Sequence, residues 1–192
     1  MKPLLASAAC IVLLAACNER GASPAVDKAQ DMAAAPVGQA SAATLGANTV
    51  DAYVPNAAMA DMYEIMAADI ALERSQNAEV KELATMIKTD HTDASNKFKA
   101  ILQGMSPPMT PPAALDQRRQ GLIDNLRSAG AADFDRVYLD QQIAAHNEAL
   151  TLHRGFSDNT DAAPLAAHAR SVVPKIEAHL RTAEQLKASN AG

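Results

Sequence analysis

The chain has no tryptophan and only three tyrosines and three phenylalanines among its 192 residues. Sheets fill their pleated faces with aromatic and β-branched side chains, so this scarcity argues against a β-rich fold. Cysteine is rarer still, with Cys10 and Cys17 alone. Positive charge is not in excess either: 17 Lys and Arg stand against 22 Asp and Glu, a formal net charge of −5. No basic patch of the kind that tracks phosphates is visible, so nucleic acid is not an expected partner. Catalytic signatures are missing as well. The sequence has no Ser-His-Asp or Cys-His spacing, no phosphate-cradling glycine loop and no CxxC pair, so no catalytic residue is assigned.

What is present starts with an address. Met1 to Cys17 reads MKPLLASAACIVLLAAC, with Lys2 as a short positive start and no charge from Leu4 to Ala16. That run has the length of a signal-peptide apolar segment and is too short to span a bilayer. Leu14-Ala15-Ala16-Cys17 fits a lipobox, in which the cysteine thiol is the nucleophile that takes the lipid. The expectation is a lipoprotein signal peptide over 1–16, lipidation at Cys17 and attachment to the membrane on the periplasmic face. Asn18 follows, with no aspartate there to retain the protein in the inner membrane, which favours the outer membrane. Cys10 leaves with the signal, so an intramolecular disulfide is excluded and the fold must hold by packing. Residues 17–50, rich in Ala, Ser, Gly, Pro and Gln, read as a lipidated N-terminus and flexible tether.

From residue 51 the pattern becomes helical. A first helix is expected from about Pro55 to Ser75, with Met59, Met62, Ile65, Met66 and Leu72 as its apolar stripe. Ser75-Gln76-Asn77 reads as a short turn, and Asn77 suits a cap for the next helix. That second helix, about Ala78 to Gln103, has the cleanest period: Val80, Ala84, Ile87, His91, Ala94, Phe98 and Ile101. Gly104 and the prolines of MSPPMTPP end it. Ala113 to Ser128 reads as a short linking helix. A third long helix starts near Ala131 or Asp133 and carries Phe134, Tyr138, Leu139, Ile143, His146 and Leu150. The fourth, about Asp161 to Ala188, carries Leu165, Ala169, Val172, Ile176, His179, Ala183 and Leu186. Two tightly linked helical pairs over 51–188 make an all-α antiparallel four-helix bundle. Their long join, which holds the short extra helix, leaves open a crossover along the bundle or a fold-back over one end.

All five histidines lie in the helical region: His91, His146, His153, His168 and His179. A buried imidazole without partners costs roughly 1–3 kcal/mol per group, so the seam positions of His91, His146 and His179 call for something to meet them. Counting about 1.5 Å per residue from the Gln76 turn, a crossover puts His91, Met62 and His146 near 22 Å. Asp69 and His179 then fall lower, near about 10 Å on the same count. A candidate metal site follows, centred on His91 and His146 and completed by His179, Asp69 or Met62. Met62 would favour Cu as a soft donor, and Asp69 would favour Fe, Mn or Zn. A polar layer that fixes helix register is the competing reading.

The stretches MADMYEIMAADIALERSQNAEVKELATMIKTDHTDASNKFKAIL, FDRVYLDQQIAAHNEALTLH and VVPKIEAHLRTAEQL carry a resemblance. Over about Asp51 to Leu186 the chain resembles the exported bacterial domain-of-unknown-function family numbered four-one-four-two, grouped with ferritin-like proteins. The resemblance implies a ferritin-like bundle with the crossover, and no established activity. Ferritin-like iron sites use Glu on two helices and Glu-x-x-His on the other two. Here Lys88 and Ile176 stand three residues before His91 and His179, and Glu64 points roughly 160° away from Met62 on a 100° helical wheel. A diiron oxidase centre is therefore not expected. Two functions follow. The first is a non-enzymatic envelope or stress-related interaction protein with a protein partner in the envelope. The alternative is a metal-binding protein with a His/carboxylate/Met site inside the bundle.

Overall fold

The structure is a computed structural model, and it describes residues 48–190. The expected signal peptide, the lipidation site at Cys17 and nearly all of the tether lie outside the described residues. Five helices form among the described residues: α1 (Val50–Arg74), α2 (Ala78–Gln103), α3 (Gln117–Ser128), α4 (Phe134–Phe156) and α5 (Ala163–Ser189). Among the described residues there is no strand, and no helix is long and apolar enough to cross a membrane.

Local chemistry sets most boundaries. Thr49 caps α1 by accepting from Ala52 N, so the helix begins five residues before the expected Pro55. Proline near an N-terminus removes little, because the first amide groups lack intrahelical partners anyway. Asn77 accepts from the amides of Glu79 and Val80 and starts α2 as its sequence suggests. Asp116 does the same for α3 through Arg119 N at 2.7 Å, which moves the start past Ala113. Pro174 sits inside α5, which stays continuous from Ala163 to Ser189.

The topology is a crossover. One core cluster joins Ala67, Ala68 and Ala71 of α1, Val80 and Leu83 of α2, Phe134 and Tyr138 of α4, and Ala183 and Leu186 of α5. The other joins Tyr53 and Ala57, Phe98 and Leu102, Leu152 and Phe156, and Leu165 and Ala169. The starts of α2 and α4 thus share one end of the bundle and their other ends share the opposite end, so the two run parallel. The segment between them must travel the bundle's length, and its α3 lies against α1 and α4. Arg74 fastens it: the guanidinium donates to the carbonyls of Leu126, Arg127 and Ala129 and lies 4.7 Å above the Phe134 ring. A cation at the C-terminus of α3 also meets the favourable end of the helix dipole. At the far end, Tyr53 stacks on Phe156 at 3.9 Å and meets Phe98 edge-on. Such pairs contribute about 0.5–1.5 kcal/mol beyond burial, which matters in a chain with six Phe and Tyr residues.

The inner face of α1 differs from the expected one. Ala57, Asp61, Glu64, Ala68 and Ala71 are buried and alternate by four and three residues. Met59, Met62, Ile65, Met66 and Leu72 are only partly buried. Alanine and two carboxylates share the buried face with Tyr53, Val54, Tyr63 and Ile70, and the methionines lie on its flank.

Candidate metal centre

The middle of the bundle is polar. His91 of α2, His146 of α4 and His179 of α5 are all buried there, with ring centroids 5.3 to 5.7 Å apart. One ligand atom from each ring lies within 4.8 Å of the other two. His179 therefore lies level with His146, above the height that residue counting gave it. Counting assumes that helix ends are flush, and it carries no information on axial offset between helices.

Each ring is anchored by one nitrogen. His91 Nδ1 donates to Asp61 Oδ1 at 2.8 Å. His146 Nδ1 donates to the Gln142 carbonyl at 2.9 Å. His179 Nε2 donates to Asp90 Oδ2 at 3.0 Å, and Lys175 holds the other oxygen of Asp90. With those protons spoken for, each ring in its neutral form turns a lone pair inward: His91 Nε2, His146 Nε2 and His179 Nδ1. His91 Nε2 is buried without a hydrogen-bond partner. His146 Nε2 and His179 Nδ1 face each other at 3.3 Å. Two unprotonated nitrogens at that distance repel unless something positive lies between them.

This arrangement fits a transition-metal ion. Metal-bound histidines usually give their second N–H to a carboxylate or carbonyl, which fixes tautomer and ring orientation. All three rings already have that partner. A tetrahedral ion with metal–nitrogen bonds of about 2.0–2.1 Å separates its ligand nitrogens by roughly 3.4 Å, close to the His146–His179 spacing.

Burial dominates the proton equilibria. It holds the His146 imidazole well below its ordinary pKa, with the neighbouring His91 and His179 charges adding to the effect. His179 is lowered to about 4 by burial and by His91, against an opposing pull from Asp90. For His91 burial also acts downward, but the hydrogen bond and charge of Asp61, with Glu64 and Asp90, outweigh it and raise the group. Glu64 is raised to about 7, chiefly by burial, while His91 and the Gln142 amide pull it down.

The five candidate residues thus separate into two sets. His91, His146 and His179 come together. Asp69 does not: its side chain is 53% exposed and pairs with Lys88 at 2.6 Å on the surface. Met62 lines an open groove with Ile65, Met66, Phe98 and Pro111 instead of facing the seam. Both displacements follow from the turned inner face of α1. The same rotation corrects the expectation for Glu64, which is 2% exposed and lies 3.4 Å from His146 Nδ1. Asp61 and Glu64 were missed, although their spacing from Ala57 and Ala68 carries the signal. Asp90, the sequence neighbour of His91, turns to His179 of α5 instead.

An all-α bundle with a crossover and a buried group of three histidines is the class that these observations define. The chain belongs to the family described as "Domain of unknown function (DUF4142)", which matches residues 34–186 and so begins before Asp51. Among solved structures it is similar to "CopM in the Cu(II)-bound form", at 20% identity and a TM-score of 0.62, covering 72% of this chain and 95% of that one. At that identity the likeness shows the fold alone. No curated protein matches.

Proposed function

We propose that this protein binds one transition-metal ion, Cu(II) foremost, between His91, His146 and His179. The observation that carries the reading is the convergence of three anchored imidazoles on one point, with His146 Nε2 and His179 Nδ1 only 3.3 Å apart. Imidazole suits Cu, Zn, Fe and Ni, and Cu(II) binds most tightly of these divalent ions to a given nitrogen site. The similar fold described in a Cu(II)-bound form supports copper as the first ion to test. Protein purified without chelator and stripped of metal should take up one equivalent of Cu(II), with nitrogen hyperfine structure in its electron paramagnetic resonance spectrum. Uptake well below one equivalent, or a spectrum without nitrogen couplings, would reject the site.

We further propose that Cys17 anchors the bundle to the periplasmic face of the envelope, at the outer membrane. The support is the apolar run that ends in Leu14-Ala15-Ala16-Cys17. Cell fractionation should find the wild-type chain with membranes and Cys17→Ser in the soluble fraction. If both fractionate alike, the anchor is not at Cys17.

A further inference from the structure

Several buried polar atoms near the centre have no hydrogen-bond partner: His91 Nε2, Glu64 Oε2, the Tyr138 hydroxyl and both side-chain atoms of Gln142. Native interiors hold only a few such groups, and each asks for an unseen occupant or a role. His91 Nε2 is accounted for by the ion. The others surround Glu64. Its Oε1 lies 3.4 Å from His146 Nδ1, Gln142 shares a carbonyl with that same nitrogen, and Tyr138 feels the Glu64 charge.

The remaining carboxylates around the centre are already committed. Asp61 accepts from His91. Asp90 is shared between Lys175 and His179. Glu148 is held by Arg118 and Arg119. Among the described residues, no lysine or arginine pairs with Glu64, and its second oxygen is buried and unpartnered. An isolated carboxylate in a dry interior is costly unless a positive charge meets it.

We infer that Glu64 is the charge determinant of the trihistidine centre, making it select divalent over monovalent metal ions. This rests on the metal-binding reading above. Three imidazoles contribute no charge, so a dication between them keeps its full +2 in a low-dielectric interior. With Asp90 balanced by Lys175, the carboxylates left to answer it are Asp61 and the buried Glu64, the latter ionised when the dication is bound. A monovalent ion would be over-compensated by the same pair. Glu64 acts here as a positioning charge behind His146 and is not itself counted among the ligands.

The test compares Cu(II) with Ag(I), a redox-inert monovalent ion, in the metal-stripped mature protein. Glu64→Gln keeps the shape and removes the charge. It should weaken Cu(II) by about 10- to 100-fold, the range for outer partners of metal ligands, and Ag(I) by only about 3- to 10-fold, because the lost pair energy scales with the charge of the ion and is halved for a monovalent one. Where copper is cycled between its two states, the midpoint should rise by about 59 mV for each tenfold loss of Cu(II) over Cu(I). Glu64→Leu, which leaves no polar atom to satisfy, should show the same selectivity loss, so either folded variant decides the matter. Equal weakening of both ions, or no change in either, overturns the inference while leaving the trihistidine site intact. Failure of the wild-type chain to bind Cu(II) removes both together.

Discussion

Replacing His146 with alanine should weaken Cu(II) by more than about a hundredfold, beyond the 10- to 100-fold loss typical of outer-shell partners. His146 is one of three evenly spaced rings: it lies 5.7 Å from His91 and 5.3 Å from His179, centroid to centroid, and those two lie 5.6 Å apart. Burial and its two imidazole neighbours keep it neutral in neutral solution, so it offers a lone pair without first releasing a proton. Its loss leaves two nitrogens on different helices, which cannot enclose an ion. Asp69→Ala and Met62→Leu should by contrast leave affinity within about twofold, since one side chain pairs with Lys88 at the surface and the other lines a groove. The measurement is a competition titration against a chromophoric chelator, with helix content checked in parallel. A His146→Ala protein that keeps Cu(II) within about tenfold of wild type would place the copper elsewhere.

The difference between the helices explains how much of this centre was legible. α2 and α5 carry apolar residues, large ones interleaved with alanine, along most of the seam, so their period is plain and His91 and His179 stand out as polar interruptions in it. α4 is similar around His146. α1 breaks the rule on which such reading depends. Its middle buries Asp61 and Glu64 among alanines, Tyr63 and Ile70, and its methionines lie on the flank. A hydrophobicity pattern weights methionine above alanine and counts carboxylates as outward, so it turns the helix away from its buried face. Asp69, Met62 and Glu64 were all misplaced by that one rotation. The carboxylates could be inward only because imidazoles from other helices meet them, and that is a tertiary fact. The level of His179 was illegible for a related reason: residue counts fix heights within a helix, and packing fixes offsets between helices. The crossover itself follows from neither period nor count. It is set by which ends share a core, with Arg74 tying the end of α3 to α1.

Acidifying the metal-free protein from pH 6.5 to 4.5 should cost several kcal/mol of stability, and the histidines outside the centre make the case most directly. His153 is held down to about 3, first by burial and then by His168 and His91. Burial lowers His168 as well. Tyr53 donates its hydroxyl to His153 Nδ1 at 2.9 Å, an arrangement that needs the imidazole unprotonated there. In the unfolded chain each imidazole takes a proton near pH 6.5. Between that value and the lower folded value, the unfolded chain binds protons that the folded chain refuses, so stability falls as pH falls. Each such histidine contributes about 1.4 kcal/mol per pH unit across its window. His146 and His179, also lowered, act in the same direction. Glu64 acts against them: raised to about 7, its folded form holds a proton that the unfolded form has lost above its ordinary value, so its contribution favours the folded state at low pH. His91, raised above the ordinary imidazole value, adds no slope below it, because both states are then protonated. Two of the three strongly lowered histidines, His146, His153 and His179, therefore remain uncancelled, with His168 adding in the same direction, and urea midpoints should drop between pH 6.5 and 4.5. His153→Gln keeps an acceptor for Tyr53 and removes one titrating group, so it should flatten the slope by about 1.4 kcal/mol per pH unit. A wild-type midpoint that stays level through this range, or a variant with the wild-type slope, would mean that these rings accept protons inside the folded bundle.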